Sequence, residues 1–153
     1  MTKKVVVLGA NFGGLTAALS LKKDLKSEVE VTVVSDRDYF LFNPSLIWLP
    51  FGARNEGNVT FKVAPTFEKA GIEFIQSAAT EIKPNQKVVQ LANGTSVSYD
   101  YLVIATGTRN KPEAVQGLLE NTKTITTLQD AESAGRDWRK FLQNPGDIVI
   151  AAT

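Results

Sequence analysis

Six residues near the head of the chain have the types and spacing to hold a phosphate. Gly9-Ala10-Asn11-Phe12-Gly13-Gly14 follows the apolar run Val5-Val6-Val7-Leu8 and precedes a helical pattern that opens at Leu15. A strand that turns through glycines into a helix aims the first helical N–H groups and the positive dipole end at whatever lies above the turn. That is an anion site, and its usual occupant is a pyrophosphate. The full pattern is G-x-G-x-x-G. Gly9 and Gly14 hold its outer positions, Asn11 stands at the middle one, and Gly13 is additional. The middle position lets backbone approach the phosphates. Asn tolerates a left-handed backbone better than most residues, although its side chain takes space. The competing reading is a glycine-rich strand–helix turn without a ligand.

Further positions suit the same chemistry. An acid about twenty residues past the glycines holds a ribose hydroxyl in this arrangement. Asp36 stands at about that place and Ser35 is the other candidate, against a plain solvated turn over Ser35-Asp36-Arg37-Asp38. The stretch Tyr39–Gly52 is rich in aromatics and broken by Pro44 and Pro50. It either packs into the core or covers a ligand or partner, and a proline turn with large apolar neighbours suits one wall of a flat-ring pocket. The apolar run Tyr101–Ile104 ends in Ala105-Thr106-Gly107, small enough to leave room at the carboxyl edge of a sheet. A tight turn with no guest is the alternative there.

Other chemistries are excluded by composition. With no cysteine and no histidine, the 153 residues hold no disulfide, Cys/His metal site, thiol nucleophile or His-based triad. A net charge of +1 gives no bulk electrostatic reason to expect nucleic acid or an anionic membrane. Hydrophobic residues at 43% and charged residues at 22% describe a chain that buries a core. Met1–Lys4 leads into an apolar run too short for a signal-peptide core, and no run is long enough to span a bilayer.

The elements that must position these residues follow from periodicity. A helix is expected over roughly Gly13 to Lys26, with Leu15, Ala18, Leu19, Leu21 and Leu25 on one stripe. A strand at Val29–Val34 completes a β-α-β unit of about thirty residues. A short helix is expected over Phe61–Ala70, stopped by Gly71, then a strand at Ile72–Gln76 ending in Ser77-Ala78-Ala79. Three β pieces, Thr80–Lys83, Lys87–Leu91 and Ser96–Tyr99, form an antiparallel meander with turns at Pro84-Asn85 and Asn93-Gly94. Tyr101–Gly107 is a buried strand, Pro112–Leu119 and Leu128–Leu142 are helical, with Trp138 and Phe141 in the core, and Ile148–Ala152 is another buried strand. The fold class is therefore α/β, a Rossmann-like parallel sheet with an inserted small antiparallel β-meander. A strand such as Ile148–Ala152 should lead into a covering helix, so these residues are expected to be part of a longer chain.

Taken together, Gly9–Gly14, the meander and Tyr99-Asp100-Tyr101-Leu102-Val103-Ile104-Ala105-Thr106-Gly107 resemble the first, FAD-binding part of the pyridine nucleotide–disulfide oxidoreductase superfamily. Asp38–Leu46 and Lys69-Ala70-Gly71-Ile72-Glu73-Phe74 resemble the sulfide:quinone reductases within it, with flavocytochrome c sulfide dehydrogenase and type II NADH dehydrogenase as near relatives. The resemblance covers essentially the whole chain. It implies that Gly9, Asn11, Phe12, Gly13 and Gly14 bind the FAD pyrophosphate and that Ser35 and Asp36 face the adenosine ribose. Ala78 and Ala79 then lie beside the adenine, Asn43 and Pro44 approach the flavin ring, and Ala105, Thr106 and Gly107 pass near the pyrophosphate or ribityl chain. The protein's part is placement and electrostatics; the flavin carries the redox chemistry.

The resemblance implies an FAD-dependent oxidoreductase that takes electrons from sulfide through cysteine sulfurs to quinone, in peripheral contact with a membrane through a later C-terminal part. The chain departs from it in having no cysteine. A first cysteine often lies near Ile125-Thr126-Thr127-Leu128, where threonine stands here. Residues 1–153 are thus expected to be an N-terminal FAD-binding portion, inactive alone, with 148–153 as the first strand of a second dinucleotide-binding domain. The alternatives are an NADH:quinone reductase relative, which Thr126 favours, or a non-catalytic α/β module that binds ADP, NAD or nothing. The expected place is cytoplasmic or peripheral to a membrane. Trp48 and Phe51, if normally covered by a further domain, would promote self-association into a homo-oligomer.

Overall fold

The computed structural model describes residues 2–150. In chain order the elements are β1 (Lys3–Leu8), α1 (Phe12–Leu25), β2 (Val29–Ser35), β3 (Tyr39–Leu41), α2 (Glu56–Val59), β4 (Thr60–Lys62), α3 (Ala64–Lys69), β5 (Glu73–Gln76), β6 (Ala79–Lys83), β7 (Val88–Leu91), β8 (Ser96–Ser98), β9 (Tyr101–Ile104), α4 (Leu118–Asn121) and α5 (Leu128–Phe141). Short 3₁₀ turns occur at Lys26–Glu28, Asn43–Trp48, Pro84–Gln86 and Pro112–Ala114. The chain divides into two compact units, one running up to Phe40 and resuming over Phe61–Thr108, the other made of Leu41–Thr60 and the residues from Arg109 on.

The first unit is built on a four-stranded parallel sheet in the order β5-β2-β1-β9. Along β1, Val5 and Val7 face one side and Val6 and Leu8 the other, and all four are buried. A continuous apolar run is what a strand covered on both faces requires. On one side, Val5, Val7, Val31 and Val33 pack with Ala18 of α1 and Phe67 of α3. On the other, Val6, Leu8 and Val34 pack with Val89 and Leu91 of the meander, ordered β6-β7-β8 and antiparallel. Helices, parallel sheet and meander thus form three layers, the α/β fold with an inserted meander expected from the sequence.

Local signals account for the boundaries. α3 ends in a Schellman closure: the Gly71 N–H donates to the Glu68 carbonyl at 3.0 Å, the Ile72 N–H to that of Phe67 at 2.9 Å, and Gly71 takes φ +66°. The β7–β8 hairpin forms around Asn93-Gly94, but as a four-residue loop in which Gly94 alone takes positive φ and Asn93 Oδ1 accepts from the Thr95 N–H and hydroxyl.

The structure differs from the sequence reading in several places. The expected helix over Phe61–Ala70 begins only at Ala64, because Thr60–Lys62 pairs with Tyr39–Leu41 as a two-stranded ribbon. Pro112–Leu119 is not one helix but a 3₁₀ turn and the separate α4, which starts after Gly117 at φ +79°. β9 stops at Ile104, and as the edge strand of its sheet it leaves Tyr101 and Ile104 exposed rather than buried. Ile148–Ile150 are exposed and carry no strand ladder, while 151–153 lie outside the described residues.

The second unit centres on α5. Its N-cap Thr127 accepts from the Asp130 N–H, and Asp130 accepts in return from the Thr127 N–H. Leu128 and Ala131 are buried on the helix, with Leu41, Leu46 and Val59 buried in the same unit. Gly135 lets the helix approach the loop closely, since a Cβ there would lie 3.2 Å from Pro50 Cα. Trp138 stacks on Phe141 and meets the edge of Phe51, all three short of full burial.

Candidate functional site

The carboxyl ends of the four parallel strands lie side by side, and the sequence-predicted residues of the first unit all follow them. β5 leads to Ala78 and Ala79, β2 to Ser35 and Asp36, β1 to Gly9–Gly14, and β9 to Ala105–Gly107. From β1 the chain crosses to β2 on one side, while β9 lies on the other. The β1–β9 gap is therefore the point where the strand order reverses, the preferred ligand crevice of an open parallel sheet.

Glycine is required where the loop meets this crevice. Gly9 takes φ +101°, and a Cβ there would lie 2.3 Å from the Ala105 carbonyl oxygen. At Gly14 a Cβ would lie 1.8 Å from the Gly9 carbonyl oxygen, so this glycine lets α1 close down on the turn. Gly13 is different. A Cβ there would meet only the Ala105 side chain, at 3.4 Å, so packing does not demand a glycine. Its backbone is exposed beside Phe12, while Gly14 is buried.

The rest of the loop is tied down from below. The Gly9 N–H donates to the Val34 carbonyl at 2.7 Å, the Ala105 N–H to that of Leu8 at 2.8 Å, and the Leu15 N–H to that of Asn11 at 2.8 Å. Asn11 is the N-cap of α1 and is extended, with φ −94° and ψ −159°. Its tolerance for a left-handed backbone is therefore not used; the positive φ falls on Gly9. The first turn of α1 carries no acidic residue that would oppose an anion.

Beside the loop, the Ser35 side chain is buried and its Oγ accepts from the Arg37 N–H at 3.2 Å, while its carbonyl accepts from the Ser77 N–H at 2.9 Å. Asp36 is exposed, with the Arg37 Nε 4.0 Å from its carboxylate. The Arg37 guanidinium sits over the Tyr39 ring at 5.7 Å. Ala78 and Ala79 are exposed, and the Ala78 carbonyl accepts from the Ala92 N–H at 2.9 Å. Between them and β5, buried Ser77 accepts from the Asn93 N–H at 3.3 Å and ties the meander turn to the sheet edge. In sequence Ser77 stands only as one of three small residues, and its hydroxyl at a strand end is the signal available there. Thr106 and Gly107 are exposed beyond β9. Asn43 and Pro44 belong to the second unit, where they open its 3₁₀ turn with exposed side chains.

Shifted carboxyls lie elsewhere. The Lys4 N–H donates to Asp100 at the amino end of the sheet and holds that carboxyl below its ordinary value. Burial raises Asp130, but hydrogen bonds from Thr127, Thr124 and Thr126 outweigh it and leave the carboxyl lowered. Lys123 lowers Asp137 by a hydrogen bond and by its charge. Among the described residues no cluster of His, Cys, Asp and Glu could hold a metal ion.

A family profile described as pyridine nucleotide-disulphide oxidoreductase matches residues 3–150. The chain belongs to that family. Its members related to sulfide:quinone reductase are FAD-binding flavoproteins. The chain is 37% identical over 155 aligned positions to a sulfide-quinone reductase of Aquifex aeolicus, covering 99% of this chain and 35% of the relative. It is 29% identical to the external NADH-ubiquinone oxidoreductase 2 of Saccharomyces cerevisiae, covering 97% and 28% respectively. The crystal structure of the Aquifex aeolicus sulfide:quinone oxidoreductase superposes with a TM-score of 0.89 at 35% identity, over 94% of this chain and 33% of that one. The chain therefore spans about a third of the length of the curated relatives it matches.

Proposed function

We infer that residues 1–153 are the FAD-binding portion of a flavin-dependent oxidoreductase of the sulfide:quinone reductase type. The observation that carries this reading is the bare Gly13 above the β1–β9 crevice, a glycine whose absent side chain serves no packing need. In this reading the first turn of α1 receives the pyrophosphate through backbone N–H groups, with Gly9, Asn11, Phe12, Gly13 and Gly14 around it. Asp36, at the end of β2, accepts from a ribose hydroxyl beside Ser35. Ala78 and Ala79 leave a flat opening for the adenine, Ala105, Thr106 and Gly107 flank the pyrophosphate or ribityl chain, and Asn43 and Pro44 serve the flavin ring. Bound flavin would supply electron transfer; these residues hold and orient it.

The parent activity is then oxidation of sulfide with quinone as acceptor, in peripheral contact with a membrane through residues outside this chain. Among the described residues no helix is long and apolar enough to cross one. Residues 148–153 would begin a second dinucleotide-binding domain. A second reading, electrons from NADH rather than sulfide, is favoured by Thr126 at the place where the resemblance puts a cysteine, and by the similarity to an NADH-ubiquinone oxidoreductase.

The test is an FAD titration of the purified chain, followed by flavin absorption and fluorescence. Wild type should bind and Gly13→Val should lose binding while its far-UV circular dichroism and melting stay close to wild type. Equal FAD affinity in the two proteins would remove the phosphate assignment.

A further inference from the structure

Between Gly9 and Gly14 the loop carries one large side chain, Phe12, a residue 44% exposed. That ring is not idle. It meets Phe40 edge-on, with centroids 4.7 Å apart and planes at 67°. Phe40 is the buried middle residue of β3, and its face is covered by Phe61 of β4, stacked at 4.8 Å and 20°. Phe61 is itself 45% exposed, yet it spends its inner face on Phe40. A three-ring ladder therefore runs from the first helical residue of α1 to the ribbon.

The loop has reason to need such a brace. Glycines at 9, 13 and 14 leave its backbone with more conformational freedom than side-chain-bearing residues there would. The hydrogen bonds from Gly9 to Val34 and from Leu15 to Asn11 pin its two ends, and Phe12 lies between them. An edge-to-face aromatic pair contributes about 0.5–1.5 kcal/mol beyond area burial, enough to choose among loop conformers.

We propose that Phe12 is a positioning residue for the cofactor: its ring, braced by Phe40 and Phe61, holds the Gly13 and Gly14 amides in the phosphate-accepting arrangement before any ligand arrives. This rests on the FAD reading above and adds to it a source of pre-organisation. A pre-ordered loop does not spend binding energy on its own ordering. The side chain thus acts on the cofactor through the backbone of its neighbours.

Two measurements on the full 153-residue chain test the ladder. The first is amide hydrogen exchange at Gly13 and Gly14 without FAD, which needs no cofactor. Phe12→Ala should speed it clearly, Phe61→Ala should speed it less, and Phe12→Tyr should leave it near wild type. The second is the FAD dissociation constant. It should rise roughly tenfold in Phe12→Ala, the fold-change that corresponds to about 1.4 kcal/mol, and recover in Phe12→Tyr. Phe61→Ala leaves the loop sequence intact, so it keeps the test open should Phe12→Ala lose its fold. Unchanged exchange in both alanine variants would overturn the ladder, as would unchanged FAD affinity in Phe12→Ala despite faster exchange. Absence of flavin binding by wild type would instead remove the FAD reading, while the exchange data would still judge the brace.

Discussion

Three glycines in one loop do three different things. Gly9 supplies a positive φ and lets β1 pass against the Ala105 carbonyl, Gly14 lets the helix sit on the turn, and Gly13 leaves space open to solvent. Substitutions should separate them. Gly14→Ala forces a Cβ against a backbone oxygen that cannot swing aside and should cost about 1–3 kcal/mol or more, read as a lower urea midpoint. Gly13→Ala should leave the midpoint within a few tenths of a kcal/mol of wild type or raise it, because alanine favours a helix. A loss of stability at Gly13 equal to that at Gly14 would contradict this division. Asp130 offers a test by pH. Its folded carboxyl is lowered, so its contribution is complete above the ordinary carboxylate value near pH 4 and disappears as pH falls through the lower folded value. Asp130→Asn should therefore lose stability at neutral pH and flatten part of the acid limb of the stability curve. A variant whose acid limb matches wild type would show that the Thr127, Thr124 and Thr126 hydrogen bonds do not favour the carboxylate.

Helices and strands here are held by different means. α5 is polar over much of its surface and starts with a reciprocal cap between Thr127 and Asp130. Thr127→Ala should cost about 1 kcal/mol, measured as a shift in the urea midpoint at constant slope. α3 is only six residues long, too short to stand by propensity. What keeps it is Phe67, fully buried and stacked on Phe74 at 5.7 Å. Phe67→Ala should cost about 3–5 kcal/mol, and a loss under about 1 kcal/mol would mean that α3 is not anchored by its side chain. The Gly71 stop and the Asn93-Gly94 hairpin were legible, because each depends on a few neighbouring residues. β3 and β4 were not. Each is three residues long, and their pairing joins segments some twenty positions apart that show no alternation of their own.

For the molecule as a whole, exposed apolar surface is the feature with the plainest consequence. In the second unit Trp48 and Phe51 are 54% and 56% exposed, and Ile47, next to buried Leu46, is exposed as well. Apolar surface of this kind drives association. Light scattering of the 153-residue chain should give a mass that rises with concentration, and Trp48→Ser with Phe51→Ser should reduce the rise. A monomer at every concentration would count against it. The glycine-rich strand–helix turn, the first β-α-β unit, the meander and the family resemblance could all be read along the chain, since glycine positions, apolar patterning and turn chemistry are local properties of neighbouring residues. Tertiary structure alone decided that β9 is an edge strand with Tyr101 and Ile104 in solvent, that Gly9 rather than Asn11 carries the positive φ, and that Phe12 reaches Phe40 and Phe61. Those outcomes depend on which strand lies next to which and on the distance between atoms remote in sequence, and neither quantity is encoded at any single position.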